Sequence, residues 1–83
     1  MEEIFLKDLY IKATSFSDIR AISDLAAAQD YAITVTDGQI TVNARSLMCI
    51  FSLDMDRPLH LQLDCGENDF EAFREKAAQF IVT

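Results

Sequence analysis

Residues 37–53, DGQITVNARSLMCIFSL, constrain this chain more than any other stretch, because they place a turn, a strand and a helix start in immediate succession. Asp37-Gly38 is a hairpin-type dipeptide, since glycine accepts a positive φ at no steric cost and Asp tolerates it. Ile40, Val42 and Ala44 alternate with Gln39, Thr41, Asn43 and Arg45, the period of a half-buried strand over 40–44. Ser46 stands directly before LMCIFSL, where its hydroxyl can accept a hydrogen bond from an orphaned helix N–H. A short helix is therefore expected over 47–53, ended by Asp54, Asp56 and Pro58.

The remaining elements follow from periodicity. Residues 4–12 read as a first strand of open register, with Phe5, Lys7, Leu9 and Ile11 on one face and Ile4, Leu6, Asp8 and Tyr10 on the other. Ser15 and Ser17 are candidate caps for a helix over 18–29, whose Ile19, Ile22, Leu25 and Ala26 form one stripe. Asp18 falls in its first turn, where a negative charge suits the helix dipole. A strand over 31–36 precedes the Asp37-Gly38 turn. The alternation is cleanest over 59–65, with Leu59, Leu61, Leu63 and Cys65 opposed to His60, Gln62 and Asp64. After Gly66 a last helix is expected from Asn68 or Asp69 to Val82, with Asn68 as its cap and Glu71 three residues on. Its inner stripe is Phe70, Phe73, Ala77, Phe80 and Ile81. The order βαββαβα, with one apolar sheet face, gives an α+β open-faced sandwich: a four-stranded, mostly antiparallel sheet with three helices on one face.

Composition bounds the function. Eighty-three residues suit one small domain spanning 1–83, and a hydrophobic content of 51% suffices for its core. A net charge of −7 with seven scattered basic residues opposes binding to nucleic-acid phosphates and to anionic lipid. Apolar runs of a few residues predict no membrane insertion, and the start MEEIFLKDLY lacks the basic and apolar regions of a signal peptide. A cytoplasmic protein is expected. Cys49 and Cys65, with a single histidine, lack the spacing of a metal site and read as buried thiols acting as small hydrophobes. No metal or cofactor is implied.

Val42-Asn43-Ala44-Arg45-Ser46-Leu47-Met48 with Ser52-Leu53, the strand Ile33-Thr34-Val35, and residues 65–72, CGENDFEA, together resemble HPr, the histidine phosphocarrier family of the bacterial sugar phosphotransferase system. The resemblance covers roughly 17–82 and implies the same βαββαβα fold. Family members carry the phosphoryl group on a histidine at the start of the first helix, cradled by backbone N–H groups and a nearby arginine. Ungapped counting from Ile33-Thr34-Val35 puts Ser15 where that histidine belongs, Ser17 at the arginine and Asp18 at the proline. All three oppose phosphohistidine chemistry. In Gram-positive relatives the serine matching Ser46 is phosphorylated by a dedicated kinase and signals to a transcriptional regulator, so Ser46 is the candidate regulatory site beside its capping role. Leu47, Met48 and Phe51 match the exposed patch with which the family docks onto partners. Asp54 and Pro58 replace glycines usual in the family, so the turn after this helix is expected to differ.

The leading expectation is a non-enzymatic HPr-like regulatory or protein-binding module, whose partner is a phosphotransferase-system component or a regulator. The runner-up is an active phosphocarrier with an unusual acceptor, His60 or Ser46. His60 lies mid-strand on a polar face without a helix N-terminus beside it. A small enzyme using Asp64, Glu67 and Asp69 lacks a nucleophile–base pair, and those acids read as a solvated loop. A homo-oligomer burying the Leu47/Met48/Phe51 patch against itself is the fourth alternative.

Overall fold

The computed structural model describes residues 6–82 and shows an α+β fold in which the last strand of the sequence lies inside the sheet. Strands β1 (Lys7–Ile11), β2 (Ile33–Thr36), β3 (Thr41–Asn43) and β4 (Leu59–Leu63) are joined in the order β1-β4-β2-β3. Helix α1 (Phe16–Ala27) links β1 to β2, the single-turn α2 (Leu47–Ile50) links β3 to β4, and α3 (Glu67–Lys76) follows β4. Every pairing is antiparallel.

The alternation in β4 sets the register. Leu59 opposes Ile11, Leu61 opposes both Leu9 and Val35, and Leu63 opposes both Lys7 and Ile33. Apart from Lys7 these side chains are apolar; all lie on one face, and the three leucines are essentially fully buried. Helix α1 covers that face with Ile19, Ile22 and Ala26, α2 with Ile50, and α3 with Phe73 in the same core. Asp8, Tyr10, Thr34, Thr36, His60 and Gln62 occupy the other face, where none is buried. The first strand's register is thereby fixed with Leu9 and Ile11 inward; Ile4 and Phe5 lie outside the described residues.

Several boundaries differ from expectation. Helix α1 begins two residues earlier than expected, because Ser15 and not Ser17 is its cap. β2 begins at Ile33, after Tyr31 and Ala32, and β3 covers only Thr41–Asn43, leaving Ile40 exposed and Ala44 buried beyond its end. The hairpin between β2 and β3 closes on the Thr36–Thr41 pair, so Asp37-Gly38 is half of a four-residue loop rather than a two-residue turn. Among the described residues Gly38 carries the one positive φ, 101°. β4 ends at Leu63, and Cys65 is half-buried past it.

The last helix shows the largest departure. It ends at Lys76 and is followed by a 3-10 turn, Ala78–Phe80, after which Ile81 bridges Ile11. Lys12 N–H donates to the Phe80 carbonyl at 2.8 Å and Val82 N–H to the Tyr10 carbonyl at 2.9 Å, so the chain after α3 covers part of the outer edge of β1. Apolar spacing at Ala77, Phe80 and Ile81 mimics a helix stripe, yet these residues reach the core from a tightened turn and an extended bridge. Asn68 is not the cap of α3. Gly66 is, with Phe70 N–H donating to its carbonyl at 3.0 Å, and Glu67 and Asp69 fill the first turn.

Two outcomes test this packing by urea denaturation. Leu61→Ala, at the centre of the sheet, is expected to cost about 2–5 kcal/mol through lost burial and an unfilled cavity. Asn68→Ala is expected to change stability by no more than about 0.5 kcal/mol, whereas loss of a helix cap costs typically about 1 kcal/mol.

Candidate functional site

The Ser15 hydroxyl is engaged by its own neighbours. Ser15 has the extended backbone of an N-cap, and its Oγ accepts from Asp18 N–H at 3.3 Å. Asp18 Oδ2 accepts in return from both the N–H and the hydroxyl of Thr14, at 3.0 Å each. This reciprocal arrangement is a capping box displaced by one residue, with an acid where glutamate is usual. The Thr14 backbone N–H, then its hydroxyl, hold the Asp18 carboxyl below the usual carboxylate range. Anion binding at a helix start needs free N–H groups and an absence of negative charge. Here Asp18 supplies a carboxylate in the first turn, and Ser17 is exposed beside it.

Beside this capping box lies an open pocket of about 420 Å³, lined by residues 12–16, Ile19, and Met55 with Asp56 from the loop after α2. The Lys12 ammonium donates to the carbonyls of Asp56 at 2.6 Å and Met55 at 3.3 Å, which ties this loop to the end of β1. Phe16, at the first position of α1, is 56% exposed and stacks on Phe51 with ring centroids 5.1 Å apart. Read as part of a polar connection, Phe16 has no role; its one signal is an aromatic between two candidate capping serines, three residues ahead of Ile19 in the stripe.

The expected patch on α2 divides. Met48 is 76% exposed and Phe51 is 37% exposed, while Leu47 is half-buried and packs against the core. Met48, Phe51 and Phe16 are therefore the large apolar side chains presented together at this end of the fold. Cys49 is exposed rather than a buried small hydrophobe, because α2 is a single turn that directs Ile50 into the core and Cys49 out. Ser46 stands at the N-cap position but its hydroxyl makes no capping bond; its carbonyl accepts from Ile50 N–H at 3.1 Å. The expected helix over 47–53 is α2 plus a turn, with Ser52 Oγ donating to the Cys49 carbonyl at 2.6 Å.

Residues outside α2 hold it in place. Arg45 Nη2 donates to the carbonyls of Gln29 at 2.6 Å and Tyr31 at 3.2 Å. Asp37 Oδ1 accepts from the N–H groups of Gln39 and Ile40, and its Oδ2 accepts from Asp54 N–H at 2.9 Å. The Ile40, Asp54 and Gln39 donors hold the Asp37 carboxyl down at about 2.

The other sequence candidates lie elsewhere. His60 is on the open sheet face, its Nε2 2.7 Å from Asp8 Oδ1 and its ring stacked on Tyr10 at 4.6 Å. A phosphoryl group on that nitrogen would meet the Asp8 carboxylate. Glu67 is spent on an ion pair with Lys7 at 2.8 Å, and Asp64 and Asp69 are exposed, so the three acids do not converge on a nucleophile. Among the described residues no group of three or more His, Cys, Asp or Glu is placed to hold a metal ion, and no helix is long and apolar enough to cross a membrane. Compared with models of known protein families and with curated proteins, the chain gives no match to either.

Ser15→Ala is expected to lower stability by about 1 kcal/mol through loss of a working cap, whereas Ser46→Ala stays within about 0.5 kcal/mol; chemical denaturation distinguishes them. Asp37 gives a pH test. Its folded value lies below its unfolded one, so its contribution is fully present above the unfolded value of about 4 and is lost as pH falls toward about 2. The stability difference between the parent and Asp37→Asn, from urea curves at several pH values, should be constant near neutrality and shrink across that acid window.

Proposed function

We propose that this chain is a non-catalytic HPr-like protein, a regulatory or protein-binding module related to the bacterial sugar phosphotransferase system and without histidine phosphotransfer. The observation that carries the reading is the engagement of Ser15: the residue at the family's phosphocarrier position is a helix cap, flanked by the Asp18 carboxylate. A phosphoryl group there would lose the cap and face a like charge 3 residues along the first turn. The element order, strands and helices in the sequence βαββαβα, supports the likeness to the family.

What remains is a surface. Met48, Phe51 and Phe16 expose apolar side chains, as Leu6, Tyr10, Ile40 and Val82 do on other segments, but these three share the α1–α2 end, and an apolar patch rimmed by polar residues marks a site for a protein partner. Leu47 supports the patch from beneath. Ser46, whose hydroxyl makes no capping bond, is the candidate for regulatory phosphorylation. Modification there would add about two negative charges at the edge of the same patch and alter partner choice.

The test is to incubate the pure protein with labelled phosphoenolpyruvate and the first enzyme of the phosphotransferase system. No acid-labile label is expected. Label of phosphohistidine character, lost in His60→Ala, would overturn the reading in favour of an active carrier; label lost in Ser46→Ala would do the same for a serine acceptor. In parallel, purified components of the system added to ¹⁵N-labelled protein should shift the amides of Leu47, Met48 and Phe51.

A further inference from the structure

The pocket beside α1 has an occupant chemistry that the docking surface alone does not specify, and we infer that it receives an arginine side chain of the protein partner. The inference rests on the docking reading above and names the chemistry of that partner. Three independent features converge on it.

The first is shape and lining. The pocket holds about 420 Å³ and opens to solvent between the β1–α1 connection and the loop after α2, with Ala13, Phe16, Ile19 and Met55 among its walls. Such a space takes the aliphatic stem of a long side chain. The second is the aromatic pair at its edge. Phe51 stacks against one side of Phe16, and Phe16 remains 56% exposed, which leaves ring surface for a planar cation to lie against. A guanidinium is planar and weakly hydrated, so it stacks on an aromatic ring better than an ammonium does.

The third is charge. Asp56 lines the pocket, and its carboxylate makes no hydrogen bond or ion pair among the described residues. Asp18 adds a second carboxylate against the Thr14 wall. Two positive features oppose these acids: the Lys12 ammonium, which keeps its charge but is held against two loop carbonyls, and the N-terminus of α1. The N-terminal dipole of α1 is met by the Asp18 side chain in its first turn. A net charge of −7 over the whole chain favours a cationic partner at longer range. An arginine satisfies all three features at once: stem on the apolar walls, guanidinium over Phe16, and N–H donors toward Asp56.

The probe is acetyl-Leu-Arg-Leu-amide, titrated into the full ¹⁵N-labelled chain, with citrulline and glutamate versions of the same peptide as controls. Citrulline keeps the shape and hydrogen-bonding planarity of arginine without its charge. Saturable shifts are expected at the amides of 13–19 and 55–56, with the citrulline peptide about tenfold weaker, as one lost charge-assisted contact implies. Asp56→Asn, at an exposed position whose carboxylate makes no hydrogen bond or ion pair among the described residues, should weaken the arginine peptide severalfold while leaving the thermal midpoint nearly unchanged. Phe16→Leu, which keeps an apolar side chain but removes the ring, should weaken it severalfold as well. Equal binding of arginine and citrulline, tighter binding of glutamate through Lys12, or arginine shifts confined to α2 would each overturn the assignment while leaving the docking surface on α2 standing. Arginine seated in the pocket, with phosphotransferase components failing to shift Leu47, Met48 and Phe51, would instead overturn the docking reading and leave the pocket assigned.

Discussion

The insertion of β4 between β1 and β2 is the constraint on which the rest of the fold depends. β1 and β2 do not pair with each other; each is held in the sheet by β4, which arrives after both helical connections have been made. Leu61 and Leu63 face residues of both neighbours and Leu59 faces Ile11, so a slip of one residue would turn all three leucines toward solvent and put His60 and Gln62 in the core. That penalty fixes the register of three strands at once. It also makes the core non-local: α1 and α2 have no apolar sheet face to cover until the late strand is in place, a topology that folds more slowly than one of local pairings.

Period-two alternation is a strong signal where one face is buried and the other is not, and β4 was legible for that reason. β1 was legible as a strand but not in register, because Leu6, Leu9, Tyr10 and Ile11 place apolar residues on both faces. Only pairing with β4 decides between them. Beyond Lys76 the signal misleads. Ala77, Phe80 and Ile81 have helical spacing, but a 3-10 turn and a β-bridge can present the same residues to a core, and spacing alone does not separate these geometries. The capping residues divide in the same way. Ser15 and Ser46 look alike in sequence, yet only Ser15 has a helix long enough, and a facing acid, to close a reciprocal pair.

The candidate site was legible as residue types and not as a place. Met48 and Phe51 could be read from α2, but their partner Phe16 comes from a different connection, and no sequence pattern links positions 35 residues apart. The pocket is likewise made by three segments, the end of β1, the start of α1 and the loop after α2, brought together by Lys12 reaching the carbonyls of Met55 and Asp56. Ser15, read from sequence as a helix cap, is engaged as one through the hydrogen bonds that Ser15, Thr14 and Asp18 make to one another.

A helix of one turn has no stability of its own, since nucleation costs more than a single turn returns. The shape of the exposed side of α2 is therefore set by residues outside it. Arg45 binds the carbonyls that end the α1–β2 connection, and Asp37 binds the amide of Asp54 just past the helix. Ile50 and Leu53 anchor the turn from below, and Phe16 closes it from the side through Phe51. Each of these contacts comes from a segment that β4 has already positioned. The exposed patch is thus the far end of a chain of constraints that begins at the central strand: register places the hairpin and α1, these place Asp37, Arg45 and Phe16, and these in turn hold Met48 and Phe51 toward solvent.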